Sequence, residues 1–119
     1  MIRGLGTDIV RVERIRGLMS HGQFLEKYFC PVEIACIGNN PERAAGYFAA
    51  KEAFSKALGT GFGKELALKD ICVEHDALGR PCITVSSALR EKLSARGIET
   101  IHLSISHERE YAVAVVIFE

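Results

Sequence analysis

The segment Asn40–Gly59, NPERAAGYFAAKEAFSKALG, predicts the longest helix of the chain. Asn40 suits the cap, Pro41 suits the first turn because proline lacks a donor that would be unpaired there, and Gly59 suits the end. At about 100° per residue, one side of the helix forms an apolar core stripe of Tyr47, Ala50, Phe54, Ala57 and Leu58. The opposite side places two charges among small residues and a phenylalanine: Ala45, Phe48, Ala49, Glu52, Ser55, Lys56 and Gly59. This side is either a surface carrying an i,i+4 ion pair or one wall of a ligand cleft.

The segments around this helix predict an α+β fold, a single small domain with helices packed on a largely antiparallel sheet. Helices gathered before most of the strands favour this class. Strands are expected at 2–10, 70–75, 81–85, 100–106 and 111–118, with further helices at 11–20, at 23–28, from Pro31, and from Ser86 to before Gly97. No stretch resembles a linker, so residues 1–119 are expected to form one domain. The last strand lacks polar alternation and is either internal or covered in a homo-oligomer.

The composition excludes several classes of protein. In 119 residues, 15 Lys and Arg balance 15 Asp and Glu, so the chain lacks the strongly basic character expected of a nucleic-acid binder. Its longest apolar run, Tyr111–Phe118, is far shorter than the ~20 residues of a membrane helix. No signal-peptide pattern follows Met1. The four cysteines form no CxxC pair: Cys30, Cys36, Cys72 and Cys82. This predicts that their thiols are reduced and unpaired and that the protein is cytoplasmic.

Asp8 is a candidate ligand because of its neighbours. It shares a strand face with Gly4 and Gly6. Either Asp8 ends the strand or caps the next helix, or the glycines clear space around a carboxylate that reaches a ligand. If Asp8 and Glu52 converge, a cation between them is needed, and Mg²⁺ suits oxygen ligands that it shares with substrate phosphates. Lys56 would add positive charge for phosphate oxygens, so the three residues suggest phosphoryl-type chemistry.

Two further features have competing interpretations. Gly59–Gly63 lacks the spacing of a Walker loop and follows a helix, so we interpret it mainly as a C-cap and turn, although bare glycines also permit close approach of a ligand. His107 ends a strand beside a polar turn, where it either faces a cleft or is a surface histidine.

Four ordered segments resemble one family. Residues 4–10 (GLGTDIV) and 47–61 (YFAAKEAFSKALGTG) resemble the two signature motifs of holo-(acyl-carrier-protein) synthases, the short bacterial 4′-phosphopantetheinyl transferases. Residues 79–81 (GRP) and 103–107 (LSISH) are similar to two more family segments. The resemblance implies a 4′-phosphopantetheinyl transferase-like fold and a homotrimer with active sites between protomers. It also implies Mg²⁺-dependent transfer of 4′-phosphopantetheine from coenzyme A to a serine of apo acyl carrier protein, with release of adenosine 3′,5′-bisphosphate, in fatty acid biosynthesis.

The resemblance also implies roles for individual residues. Asp8 and Glu52 would bind Mg²⁺, Lys56 would contact phosphate or the reacting centre, and the coenzyme would lie along Ser55, Gly59, Pro81 and His107. The attacking serine belongs to the carrier protein, so its proton would pass to Glu52, to His107 or to a water held by the metal.

A basic stretch near the N-terminus is the candidate docking surface. The segment 11–21 contains three arginines and one acidic residue, Glu13; the arginines are Arg11, Arg14 and Arg16. This excess suits an acidic carrier protein, although a solvated arginine face is the alternative. Two other functions fit the charged residues alone: a Mg²⁺-dependent nucleotide pyrophosphohydrolase, and a non-enzymatic oligomeric ligand-binding module.

Overall fold

The computed structural model describes residues 1–63 and 66–119 and confirms the α+β prediction. The helices are α1 (Val12–Met19), α2 (Phe24–Tyr28), α3 (Pro31–Ile37), α4 (Pro41–Leu58) and α5 (Ser87–Ala95). The strands are β1 (Gly4–Arg11), β2 (Ile71–His75), β3 (Pro81–Val85), β4 (Ile101–His107) and β5 (Tyr111–Phe118). One antiparallel sheet has the order β1-β5-β4, and β2 pairs with β3 in a second. No helix among the described residues is long and apolar enough to cross a membrane.

The ends of α4 follow the predicted capping chemistry. The side-chain oxygen of Asn40 accepts a hydrogen bond from the backbone N–H of Arg43 at 3.1 Å. Pro41 occupies the first turn. Gly59 closes the helix with φ of 88°, in the left-handed region where a side chain would be strained. The predicted C-cap is therefore confirmed.

Helix α4 is buried on nearly every side, and this corrects the expectation of an open wall. Its second side was expected to face either solvent or a cleft, yet it is largely packed against protein, with Ala45, Phe48, Ala49 and Ser55 buried. The reason is that α4 lies between the β1-β5-β4 sheet and a layer that includes α1, α3 and β2. Its small residues serve close packing. Glu52 is half-buried and Lys56 is exposed.

The glycines of β1 make room for the backbone of α4. A Cβ at Gly6 would lie 1.9 Å from the carbonyl oxygen of Ala53, and one at Gly4 would lie 2.5 Å from that of Ala57. The expectation that Asp8 ends the strand or caps the next helix is wrong, because the strand continues through Asp8. The space beside the glycines is filled by the helix, and a ligand for Asp8 stays a prediction. The glycines therefore set the distance between strand and helix.

The β1-β5-β4 sheet has one covered face and one outer face that is apolar along β5 and part of β1. On β5, Ala112, Ala114, Val116 and Phe118 are buried and alternate with half-buried residues. The outer positions are Val113, Val115 and Ile117 on β5, beside the exposed Leu5 and Ile9 of β1. β5 is the central strand, as one of the two alternatives required, but its second face is not fully covered within one protomer, so the strand is not fully internal.

A disulfide joins Cys30, before α3, to Cys72 on β2, which corrects the expectation of unpaired thiols. The two cysteines are 42 residues apart in sequence and become neighbours only when α3 packs beside β2. Cys36 and Cys82 are free.

A buried ion pair connects the same region to α4. Glu33 Oε1 lies 2.8 Å from Lys51 Nζ, and both side chains are almost completely buried. Lys51 also donates to the carbonyl oxygens of Leu68 at 3.0 Å and Ile71 at 2.8 Å. The second oxygen of Glu33 accepts from the N–H of Val73 at 2.9 Å. Burial lowers the pKa of Lys51, and the charge of Glu33 opposes that change.

Candidate active site

Asp8, Glu52 and Lys56 meet where β1 crosses α4. Lys56 Nζ lies 3.1 Å from Asp8 Oδ1 and donates to the carbonyl oxygen of Thr7 at 3.0 Å. The side chain of Asp8 is 15% exposed and that of Lys56 is 56% exposed. The ion pair therefore runs from helix to strand, instead of along the helix as in the surface-pair interpretation.

Local packing explains why these side chains converge. Gly6 contacts α4 at Ala53 and Ala57, and Asp8 is the next residue on the same face of β1. Glu52 and Lys56 are one helical turn apart, so both lie on the same side of α4. The strand is thus pressed against the part of the helix that carries the two charged side chains.

The electrostatics of Glu52 favour a bound cation. Burial and the nearby charge of Asp8 raise the pKa of the Glu52 carboxyl, whereas Lys56 and Arg14 lower it. A cation held between the two carboxylates would offset both unfavourable effects. The donor set fits Mg²⁺, which prefers oxygen ligands and completes its shell with water and phosphate.

A cavity of about 270 Å³ lies near the N-terminal end of α4. Its lining includes Pro81 and His107, two residues predicted to contact the coenzyme. His107 Nδ1 lies 3.6 Å from Glu42 Oε2, so His107 faces a carboxylate of α4. Arg43 also lines the cavity, which gives it both acidic and basic groups.

The other predicted residues lie outside that cavity. Among the described residues, its lining does not include Ser55, Gly59, Asp8, Glu52 or Lys56. Ser55 is buried, and its hydroxyl donates to the carbonyl oxygen of Glu52 at 2.8 Å. Gly59 lies at the end of α4. A single protomer therefore has two separate groups of candidate residues, the acidic cluster and the histidine cavity.

Residues 4–116 match the sequence model of the 4′-phosphopantetheinyl transferase superfamily. The chain belongs to this superfamily. It is 46% identical to a holo-[acyl-carrier-protein] synthase of Geobacillus kaustophilus, over 100% of this chain and 90% of the relative. A second such synthase, from Dechloromonas aromatica, is 48% identical over 100% and 98% of the two chains. The predicted resemblance is confirmed.

Solved structures of the superfamily share the fold. A holo-[acyl-carrier-protein] synthase from Neisseria meningitidis has a TM-score of 0.90 and 40% identity, covering 100% of this chain and 99% of the other. The Helicobacter pylori synthase, solved in complex with coenzyme A, has a TM-score of 0.87 and 38% identity, with 97% and 99% coverage.

The candidate docking arginines of this superfamily member are exposed but differ in their contacts. The guanidinium of Arg14 lies 5.4 Å from the ring centre of Phe48, beside the acidic cluster. That of Arg11 lies 5.8 Å from the ring centre of Tyr111. Arg16 forms an ion pair with Glu13 on its own helix. Arg14 is the arginine placed to influence the acidic cluster, since its charge lowers the pKa of Glu52.

The sequence interpretation missed Tyr47 and His75 as cavity residues of this transferase-family chain. Tyr47 was assigned to the core stripe, and it is indeed buried, but it also lines the cavity. Its hydroxyl donates to Cys36 Sγ at 3.2 Å, and its ring lies 5.9 Å from that of His75. Burial and the hydrogen bond to Cys36 raise the pKa of the Tyr47 phenol. No periodic pattern distinguishes a core tyrosine from one that also reaches a cavity.

Proposed function

We propose that this chain transfers 4′-phosphopantetheine from coenzyme A to a serine of apo acyl carrier protein. The observation that carries the proposal is the convergence of Asp8, Glu52 and Lys56, where Lys56 Nζ lies 3.1 Å from Asp8 Oδ1. All three residues belong to the two segments that resemble the family's signature motifs. Relatives 46% and 48% identical to the chain are holo-[acyl-carrier-protein] synthases, and one solved neighbour contains coenzyme A.

The proposed reaction is a displacement at phosphorus. The serine oxygen of the carrier protein bonds to the phosphorus next to pantetheine. The bond from that phosphorus to the oxygen bridging the diphosphate breaks, and adenosine 3′,5′-bisphosphate leaves. Because the carrier supplies the nucleophile, this chain needs to align the diphosphate and oppose its charge. The ammonium of Lys56 is placed for that second task.

In the proposal, Asp8 and Glu52 hold Mg²⁺. When bound, the metal would supply positive charge to the diphosphate oxygens. Lys56, which pairs with Asp8 here, would turn toward phosphate once the metal neutralises that carboxylate. The serine proton would pass to one of the groups named above. Transfer that persists in His107→Ala would exclude His107 as the acceptor, whereas Glu52→Gln also removes a metal ligand.

The proposed coenzyme path runs from the acidic cluster to the histidine cavity. His107 and Pro81 would border the coenzyme at the cavity. Gly59, without a side chain, allows close approach of a ligand to the end of α4. The hydroxyl of Ser55 would only accept hydrogen bonds from the coenzyme, because it already donates its hydrogen to the backbone carbonyl oxygen of Glu52.

We propose that the carrier protein is recognised by Arg11, at the end of β1, and by Arg14 and Arg16 of α1. All three are exposed, and the charge of Arg14 acts on Glu52 of the acidic cluster. Arg14 is expected to contribute most, because the charge of Arg16 is already partnered by Glu13. Raising the salt concentration should therefore weaken carrier binding more than coenzyme binding.

The proposed assembly is a homotrimer with active sites between protomers. The apolar outer face around Ile9 and Val115 would be covered by neighbouring copies. A neighbouring copy would also bring a histidine cavity toward each acidic cluster, which one protomer does not do. The proposed unit is one transferase domain over residues 1–119, acting in fatty acid biosynthesis in the cytoplasm. Because the expectation of unpaired thiols is wrong, it no longer supports a cytoplasmic location. That part of the proposal rests on the proposed reaction alone.

The deciding experiment measures the mass of the carrier protein. Apo acyl carrier protein is incubated with the enzyme and coenzyme A, with Mg²⁺ or with a chelator. The carrier is expected to gain one phosphopantetheine group only when Mg²⁺ is present. Glu52→Gln should abolish the gain, while Glu108→Gln, an exposed change in the β4–β5 turn, should preserve it. Hydrolysis of coenzyme A in the absence of any carrier would instead favour the pyrophosphohydrolase.

A further inference from the structure

The Cys30–Cys72 disulfide encloses the central helix of the fold. It joins the residue before α3 to β2, so that the closed loop contains the whole of α4. Cys30 is 5% exposed, whereas Cys72 is half-buried. Of the two residues, Cys72 is therefore the more open to a small thiol in solution.

A carboxylate ties the same two chain segments without a covalent bond. One oxygen of Glu33 accepts from the backbone N–H of Cys30 at 2.8 Å, and the other accepts from that of Val73 at 2.9 Å. Lys51 neutralises this carboxylate from α4 at 2.8 Å. The segments around Cys30 and Cys72 thus remain connected through buried hydrogen bonds when the disulfide is open.

We propose that the Cys30–Cys72 pair is a reversible thiol–disulfide switch that sets the stability of the protein. A small dithiol is the reductant. One of its sulfurs bonds to Cys72 Sγ, and the Cys30 sulfur leaves as a thiolate and takes a proton. The second sulfur of the reductant then displaces Cys72, so that the reductant becomes a cyclic disulfide and two electrons pass to the protein.

Charges around the pair permit both states. The sulfur of Cys30 lies 3.4 Å from the carbonyl oxygen of Ile71, which also accepts from Lys51 at 2.8 Å. The ammonium of Lys51 therefore lies near the leaving sulfur and favours its thiolate. The carboxylate of Glu33, within 4.8 Å of both sulfurs, opposes this effect. The ion pair as a whole is neutral, so neither state buries an uncompensated charge.

The two states are expected to differ in stability and not in fold. Closing a long loop restricts the unfolded chain, which raises the free energy of unfolding of the oxidised form. The reduced form stays folded because Glu33 still bridges the segments. Asp8 and Lys56, whose contacts lie between β1 and α4, are unaffected by either state. Where disulfides occur in reducing compartments, they commonly sense redox conditions.

The test combines thiol labelling with thermal unfolding. Protein purified without reductant is alkylated after denaturation and analysed by mass spectrometry. We expect labels on Cys36 and Cys82 alone, and labels on all four cysteines after dithiothreitol. The midpoint of thermal unfolding should fall by roughly 10 °C on reduction, while the near-UV circular dichroism of a folded protein is kept.

Two variants separate the switch from a general effect of the reductant. Cys72→Ser should show the lower midpoint with and without dithiothreitol, whereas Cys82→Ser should follow the wild type. Four labelled cysteines before reduction, equal midpoints, or loss of near-UV signal on reduction would each overturn the proposal. None of these measurements depends on the transfer reaction, so the proposed function can fail while the switch stands.

Discussion

The substitution Gly6→Ala tests how the strand and helix that carry the acidic cluster are held together. The added Cβ would lie 1.9 Å from the Ala53 carbonyl oxygen and 2.6 Å from the Ala57 nitrogen, whereas ordinary contacts begin near 3.4 Å. Both neighbours are backbone atoms, so β1 and α4 must separate by about 1.5 Å. Inserting a methyl group into a packed core costs about 1–3 kcal/mol, and we expect at least the upper value because no side chain can move aside.

Urea unfolding measures this cost, with Gly17→Ala as the matched control. Gly17 lies inside α1, and a Cβ there would meet no atom within 4 Å. Alanine at that position should raise the free energy of unfolding by about 0.5–1 kcal/mol, because glycine is unfavourable in helices. Gly6→Ala should also reduce transfer, since it moves Asp8 away from Glu52, with which it would hold the metal. If Gly6→Ala stays within about 0.5 kcal/mol of wild type, close backbone packing is not what the glycine provides.

Three further predictions concern buried charge and the sheet surface. In magnesium-free buffer, Glu52→Gln should be more stable than wild type near neutral pH and equal to it below about pH 4 in urea unfolding. The sign follows because burial and a neighbouring carboxylate raise the pKa of Glu52, so that wild-type stability falls as pH rises through that pKa. Lys51→Met should cost about 3–5 kcal/mol by leaving the buried charge of Glu33 unpaired, and adding Glu33→Gln should recover part of the loss. Arg80→Ala, at the exposed pair with Asp76, should leave the stability close to that of the wild type. Ile9→Lys, at a position 64% exposed in one protomer, should yield monomers in sedimentation velocity while leaving thermal unfolding of the protomer intact.

Local chemistry made the secondary structure predictable. The bounds of α4, β3 and β5 match the predictions, and the others agree within two residues. For α4, the capping amide of Asn40, the ring of Pro41 and the conformational freedom of Gly59 act within one turn of the chain. Such signals require no knowledge of the rest of the fold.

Contacts between distant segments were not predictable in the same way. The disulfide links cysteines 42 residues apart, and neither Cys30 nor Cys72 has a neighbour that marks it. Glu33 and Lys51 look like ordinary charged residues of two helices, because nothing local shows that both will be buried. The glycines of β1 signalled a special position, but sequence alone does not distinguish space for a ligand from space for a helix backbone.

The acidic cluster was predicted from residues that the fold then brought together. Strand alternation placed Asp8 on the face of Gly6, and helical spacing placed Glu52 and Lys56 on one side of α4. The direct ion pair between Lys56 and Asp8 was not foreseen, because it depends on how closely β1 approaches the helix. Sequence patterns thus identified the members of the cluster, and the packing of strand on helix decided which of them are partners.

Two adjacent residues explain how the orientation of α4 is maintained. Consecutive side chains on a helix point about 100° apart, so Lys51 projects into the protein body while Glu52 projects toward β1. Lys51 is held by Glu33 at 2.8 Å and by two carbonyl oxygens near the start of β2 at 3.0 and 2.8 Å. On the other side, the glycines of β1 admit the helix backbone itself. Rotation of α4 about its axis would leave the Lys51 ammonium buried without hydrogen-bond acceptors. The free energy lost would be far larger than the free energy that a surface ion pair contributes. The buried pair and the glycine contact therefore act together to keep Glu52 directed at Asp8.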